Sequence, residues 1–343
     1  MSSGRVDDVR DARAEGAGPV MAGSGTTARP GGARGAWGAA DWAALARADR
    51  EQLRTIGVVV ATLDSALPSG RWHLKGSTAL LGWLGPVARM PGDVDLAVPA
   101  GAGRELLRGA PLPCGPGGER VRLSRAEPVV FSSPGRAAVH RALVEVAGER
   151  VDGSVLVNVL LVPEATAARD TRTAPLAFPT DAGAHPVPAA TLSRCLAQKL
   201  LRYTRQREAG KINTRWSDLA DFLIAAAGHR APRLDLDELR RDVAVEFAAM
   251  GRAWPAALPP PPPEWLDFWD TATFRAGWPF GRLPEAVRRL AAFWAPVLAA
   301  PAAPYDPTHA PPATPPGDLA PTPTDATAPP RSWSPTAWRW QPT

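Results

Sequence analysis

Between residues 42 and 67, Trp42, Leu45, Leu53, Ile56, Val60 and Leu63 recur at helical spacing and mark one buried face. The pattern predicts an amphipathic helix from Trp42 to about Leu67, with Asp41 as its N-cap and Pro68-Ser69-Gly70 as its stop. Trp72 to Lys75 then reads as a short strand, Thr78 to Leu84 as a helix, Asp93 to Val98 as a strand and Gly103 to Arg108 as a short helix. From Val121 to Val162 the period changes to two. Strands are predicted over 121–123, 129–131, 142–146 and 155–162, the last two forming a hairpin around residues 148–153. Residues 164–188 are rich in Ala, Thr and Pro and read as a connection.

Helical patterns follow at Ala189–Arg207, Ser217–Ala227 and Asp237–Met250. Pro259 to Pro263 predicts a stiff extended spacer, and Pro284–Leu298 a last helix with proline in its first turn. The fold class is therefore α/β or α+β, a small mixed-sheet core followed by a helical half. Residues 37–188 are expected to form the core and 189–300 the helical domain. Residues 1–36 have little apolar content and are expected to be disordered. The tail, 301–343, holds 13 of the 39 prolines and is also expected to be disordered. Its Trp333, Trp338 and Trp340 leave two readings, a tail that folds back or a linear docking motif.

Composition narrows the class. The 343 residues are 45% hydrophobic and 21% charged, which suits a globular core. The net charge is +5, and the two terminal segments nearly cancel, so the surplus lies between residues 37 and 300. That permits nucleic-acid binding without demanding it. Cys114 and Cys195 make no metal or disulfide pattern, and Cys195 reads as a small buried residue. His73, His140, His185, His229 and His309 have no metal-ligand spacing. No stretch is long and apolar enough for a membrane span or a secretory signal, so a cytoplasmic protein is expected.

The chemistry concentrates in two places. Lys75-Gly76-Ser77-Thr78 opens a predicted helix, and Asp93-Val94-Asp95 lies on the strand that follows. Residues i and i+2 of a strand share a face, so Asp93 and Asp95 project together while Val94, Leu96 and Val98 face the core. Two adjacent carboxylates repel unless a cation neutralises them. Mg²⁺, which takes one or two carboxylates and completes its shell with phosphate oxygens, suits the pair. A Gly-Ser turn at a helix N-terminus offers N–H groups to phosphate. Together these residues predict a site for a metal-bound nucleoside triphosphate.

The second place is Leu196 to Arg202, followed by Arg215-Trp216-Ser217-Asp218-Leu219-Ala220-Asp221. From Arg194 to Arg215 there are seven basic residues and one acid, Glu208. Lys199 and Arg202 share a helix face. The run reads either as a solvated basic face or as a phosphate-binding one, in which a lysine at 199 would offset charge on the phosphates and Arg202, Arg205, Arg207, Lys211 and Arg215 could track an RNA backbone. Ser217 and Asp218 would equally serve as a helix cap and dipole partner, and Asp221 would hold Lys199 or Arg215.

Lys75-Gly76-Ser77-Thr78-Ala79-Leu80 and Arg89-Met90-Pro91-Gly92-Asp93-Val94-Asp95-Leu96, with Lys199, Asp218 and Asp221, resemble the motifs of the AbiEii-type nucleotidyltransferases. These are the toxins of type IV toxin–antitoxin systems, in the DNA polymerase β-like superfamily. Ser77 stands where the family often has glycine, Pro91 where it often has serine, and Gln198 where an acid is usual. The resemblance implies Asp93 and Asp95 on Mg²⁺, and Lys199 beside them as a catalytic residue. It implies a nucleotide-binding set of Lys75, Gly76, Ser77, Thr78, Arg202, Asp218 and Asp221. It further implies nucleotidyl transfer to an acceptor hydroxyl, with tRNA or another RNA as acceptor and an antitoxin as partner. The superfamily's third acid, a base on the neighbouring strand, has no clear counterpart. Asn158 occupies the middle of that strand, and Glu145 is the nearest substitute. Two alternatives stay open: a nucleotide-binding or partner-binding protein that has lost catalysis, and a transferase acting on a small molecule such as an antibiotic.

Overall fold

The computed structural model describes residues 37–68, 71–109, 111–124, 126–129, 138–164, 172–180, 183–205, 215–228, 231–253, 255–266, 269, 280–299 and 331–343. The expected disorder of 1–36 and of most of the tail, 301–330, lies outside these residues. Helices α1 (Ala39–Ala44) and α2 (Arg47–Ala66) precede the first strands, β1 (His73–Lys75) and β2 (Asp93–Pro99). Between those strands runs α3 (Gly76–Leu84), and α4 (Ala100–Leu107) follows β2. Then come β3 (Arg120–Leu123), β4 (Glu127–Val129), β5 (Val139–Ala147), β6 (Asp152–Val162), β7 (Thr173–Thr180) and β8 (Gly183–Ala190). They make one mixed sheet in the order β3-β5-β6-β2-β1-β8-β7, with β4 also paired to β5. The β2–β6 and β1–β8 pairs are parallel, and the others are antiparallel.

Strand β6 shows how the sequence builds a two-sided sheet. Val155, Val157, Val159 and Leu161 are buried, while Ser154, Leu156 and Asn158 alternate with them on the opposite, more open face. Helices α2 and α4 cover the valine face: Gly153 sits against Thr55 of α2, and Gly103 of α4 against Leu161. The face bearing Leu156, which is 39% exposed, is the one that carries the site.

Three expectations needed correction. The long helix from Trp42 breaks at Leu45 and Ala46, both extended. Asp41 lies inside α1 and accepts a hydrogen bond from the Gly38 N–H at 2.9 Å. Neither Leu45 nor Ala46 is a helix breaker; the bend follows from tertiary contacts. The Trp37 indole donates to the Leu81 carbonyl at 2.9 Å, and its ring meets that of Trp42 edge-on. The segment 164–188 contains the β7–β8 hairpin, so the boundary expected at 188 falls inside a strand. Its prolines fit because β7 is an edge strand and β8 meets β1 only at Leu74↔Ala189, leaving few ladder N–H groups to lose.

The end of the tail is ordered where disorder was expected. Residues Arg331–Ser334 (β9) and Arg339–Pro342 (β10) form an antiparallel hairpin. It lies on the helical half, which comprises α5 (Leu192–Tyr203), α6 (Trp216–Ala227), α7 (Leu236–Ala249) and α8 (Leu283–Leu298). Trp333 is buried, donates to the Ala226 carbonyl at 2.7 Å and meets the Phe293 ring edge-on at 4.8 Å. Trp340 stacks on Phe293 from the other strand. Proline content argued against order, but three tryptophans supply enough apolar surface to hold a short hairpin. Of the two readings of these tryptophans, folding back is the one observed. The described residues contain no helix long and apolar enough to cross a membrane.

Candidate functional site

Strand register assembles the first half of the site. Lys75, the last residue of β1, lies opposite Asp95 of β2; Asp95 lies opposite Asn158 of β6; Asn158 lies opposite Arg141 of β5. The four side chains form one row across the open face. Asp93 lies one row further along, opposite Leu156. Both aspartates are half-buried, with Val94 fully buried between them, as the two-residue period requires. The Asn158 amide donates to both carboxylates, 2.7 Å to Asp93 Oδ2 and 3.0 Å to Asp95 Oδ1. Its own oxygen accepts from Arg141 Nε at 3.0 Å.

The turn into α3 is fixed by Gly76. Its φ is +66°, in the left-handed region, and a Cβ placed there would lie 2.1 Å from Asp95 Oδ2. Any other residue would be both strained and in collision. Asp95 Oδ2 therefore leans over the turn that was expected to cradle phosphate. No acidic residue sits in the first turn of α3 and no side chain caps it, so its N–H groups favour an anion. Ser77 is half-buried there. Thr78 behaves differently from the expected nucleotide contact. It is fully buried, and its hydroxyl donates to the Asp93 carbonyl at 2.7 Å, joining the helix to the strand. Burial lowers the pKa of Lys75, and the nearby Asp95 opposes that shift.

The second half is an ionic knot between α5 and α6. Lys199 Nζ lies 3.1 Å from Asp218 Oδ1 and 2.7 Å from Asp221 Oδ2, and all three side chains are buried. Arg89, in the segment just before β2, reaches Asp221 at 3.3 Å. Arg202 approaches Asp218 at 3.8 Å. Burial alone would raise the Asp218 carboxyl, but Lys199, Arg202 and Arg215 together hold it below its ordinary value. Burial would depress Arg202, yet Asp218, Asp95, Asp221 and Asp93, in that order, raise its pKa. Arg202 is thus the cation that feels both carboxylate pairs. The buried atoms Arg202 Nε, Arg89 Nε and Asp218 Oδ2 make no hydrogen bond within the protein.

The sheet brings together Lys75, Gly76, Asp93, Asp95 and Asn158, and Arg202, tied to the knot of Lys199, Asp218 and Asp221 through Asp218, feels the charge of both aspartate pairs. Glu145 does not join them. It lies opposite Ser154 and Arg122, away from the aspartate rows. Ser217 does not cap α6, whose N-cap is Arg215; Asp218 does lie in the first turn, as the dipole reading expects, and it also pairs with Lys199. Lys199 is enclosed by its two aspartates, whereas it was expected to face phosphate directly. Asp221 holds Lys199, one of its two expected partners. Gln198 donates to Glu246 at 3.3 Å. Cys195 is buried, with its thiol pushed up to about 12 chiefly by desolvation, so it is no nucleophile. Arg207 and Lys211 lie outside the described residues. Two groups here, Arg89 and Arg141, have no role assigned from the sequence. Arg89 stood inside the first motif but had no stated role, and Arg141 carries no signal except its outward position on a period-two strand.

Among the described residues no group of three or more His, Cys, Asp or Glu side chains could hold a metal ion. The donor set suits one hard divalent ion, with two carboxylates on one face beside the Gly76 turn and the remaining ligands from a triphosphate and water. It does not suit a three-carboxylate site, because the third position presents an amide N–H₂.

A mixed sheet that sets a glycine turn against an Asp-x-Asp strand defines the nucleotidyltransferase class. The chain belongs to the AbiEii family: residues 59–274 match the family described as "Nucleotidyl transferase AbiEii toxin, Type IV TA system". Among solved structures, it is similar to a candidate nucleotidyltransferase from H. pylori, at 15% identity and a TM-score of 0.38, covering 74% of this chain and 96% of the other. It is also similar to JHP933 from Helicobacter pylori, at 16% identity and a TM-score of 0.35, covering 60% of this chain and 76% of the other. No curated protein matches the sequence.

Proposed function

We propose that this AbiEii-family protein transfers a nucleotidyl group from a Mg²⁺-bound nucleoside triphosphate to the hydroxyl of an RNA acceptor, tRNA among the candidates, and that it acts as a cytoplasmic toxin held in check by an antitoxin. The observation that carries this reading is the meeting of Asp93, Asp95, the Gly76 turn and Arg202 in one place. Mg²⁺, when bound, would neutralise the triphosphate and the charge that develops as the leaving pyrophosphate departs.

The chain's own groups divide the remaining work. Asp93 and Asp95 would hold the ion. The α3 N-terminus, with Ser77, would receive phosphate oxygens through N–H groups. Arg202 would place a fixed positive charge over the departing phosphates. Lys199, Asp218 and Asp221 position Arg202 and Arg89 by holding α5, α6 and the segment before β2 together. Arg205 and Arg215 extend the positive charge towards an acceptor backbone. Purified protein, labelled triphosphates and total RNA test the reading. Label should move to RNA with at least one nucleotide, and Asp93→Ala should abolish both transfer and the growth defect on expression. Transfer with none of the four nucleotides, together with an unchanged growth defect in Asp93→Ala, would sink it.

One observation favours a second reading. Asn158 cannot accept a proton near neutral pH, so the acceptor hydroxyl lacks a base at that position. A protein that binds triphosphate without turning it over would show saturable binding and no transfer to any acceptor.

A further inference from the structure

We propose that Asn158, locked by Arg141, limits this site to one divalent cation per bound triphosphate, the Asn158–Arg141 pair standing where a second cation would otherwise sit. The proposal rests on the nucleotide reading above and deepens it. It starts from the orientation of one amide. An asparagine ligates a cation only through its oxygen. Here that oxygen accepts from Arg141 Nε at 3.0 Å, and the N–H₂ end faces Asp93 and Asp95. To become a ligand, the amide would have to turn over. It would then lose the bonds to both carboxylates and to the guanidinium, and would set its oxygen against two anionic groups.

Charge points the same way. On the β6 side of the aspartates the protein presents a donor amide backed by a guanidinium, so the potential there is already shifted in the positive direction. A cation on that side would meet Arg141. On the other side, Asp95 Oδ2 leans over the Gly76 turn, where phosphate oxygens are expected to complete a cation's shell. One ion entering with the triphosphate fits that side.

Among the described residues, Glu145, the substitute the sequence suggested, cannot supply a further ligand. Glu145 lies two residues along β5 from Leu143, which is in register with Leu156 and so with Asp93. Two strand spacings across and two residues along place its Cα roughly 12 Å from that of Asp93, beyond a shared ion. Residue 158 is therefore the position that sets the count, and Arg141 is the positioning residue that holds it.

The test counts ions directly, using Mn²⁺ as the probe. Full-length protein is titrated with Mn²⁺ in the presence of a saturating non-hydrolysable triphosphate analogue, and free Mn²⁺ is read by electron paramagnetic resonance. The wild type should bind one Mn²⁺ per chain beyond what the analogue binds alone at other sites. Asn158→Asp, checked for folding by its thermal transition, should bind two. Arg141→Ala frees the amide to turn and should raise Mn²⁺ affinity in the absence of nucleotide several-fold. Two ions in the wild type, or a count unchanged in a folded Asn158→Asp, would overturn the proposal; so would an unmoved affinity in Arg141→Ala. Absence of any nucleotide-dependent Mn²⁺ binding in the wild type would instead remove the nucleotide reading beneath it. The wild-type count stands even if a variant misfolds.

Discussion

The site has two charged halves, built on opposite physical terms. On the sheet, Asp93 and Asp95 are half-buried and repel each other, and a neutral amide is their closest partner. Between the helices, Asp218 and Asp221 are fully buried and share a lysine that is itself 2% exposed. The first pair leaves negative charge available to a ligand, whereas the second uses its charge internally. On the proposed reading, the contrast separates a binding centre from a structural one, and the charge of Arg202 is felt by both.

The largest expected difference between the halves is in stability. Removing one partner of a buried ion pair leaves an uncompensated charge, so Lys199→Ala should cost about 3–5 kcal/mol in urea unfolding. Asp95→Ala relieves a like-charge contact at a half-buried position and should change stability by no more than about 1 kcal/mol while abolishing nucleotidyl transfer. Equal stability losses in the two variants would erase the distinction. Acid sharpens it further. The folded-state pKa of Asp218 lies below its ordinary 3.8, so the unfolded chain takes up that proton first as pH falls. Its contribution is fully present above the ordinary carboxylate value and is lost as pH falls through it towards the folded value. Asp218→Asn should therefore be less stable than wild type at pH 7 and lose less stability between pH 5 and about pH 3.

Gly76 tests the sheet side from the backbone. Gly76→Ala must hold a left-handed φ and displace Asp95, whose Oδ2 would be 2.1 Å from the new methyl carbon. The backbone term alone is about 1–2 kcal/mol. The total should stay below the loss in Lys199→Ala, with transfer reduced far more than stability. Calorimetry and the transfer assay on the same preparation measure both. A large stability loss with residual full activity would place Asp95 outside the binding centre.

Much of this was legible in the sequence, for reasons that differ by element. The Asp-x-Asp strand was readable because burial alternates on a two-residue period, and Val94 between two polar residues marks the face. The α3 turn was readable because Gly-Ser before an apolar run is a helix-start signal. The family motifs added Lys199, Asp218 and Asp221, which spacing alone could not join to a site 100 residues earlier. The β7–β8 hairpin was hidden because its prolines mimic a loop unless the edge position is known. The terminal hairpin was hidden because its stability comes from Phe293, far away in the chain. Arg141 and the orientation of Asn158 depend on strand register, which no local pattern reveals.

The smallest effect tests whether the two motifs are mechanically coupled. Thr78 joins the Gly76 turn to the carboxylate strand through its 2.7 Å bond to the Asp93 carbonyl. Thr78→Val keeps the shape, removes the hydroxyl and leaves that carbonyl short of one donor in a buried setting. The expected cost is about 1 kcal/mol, typical of a single neutral hydrogen bond. If Thr78 only stabilises, triphosphate affinity should be unchanged and the thermal transition should fall slightly. If it sets the spacing between Gly76 and Asp93, affinity for Mn²⁺ and triphosphate should fall together, and by more than the stability loss explains. The register supports the second outcome: Lys75 and Asp95 are already paired across β1 and β2, so Thr78 is the next constraint that keeps the turn aligned with both aspartates.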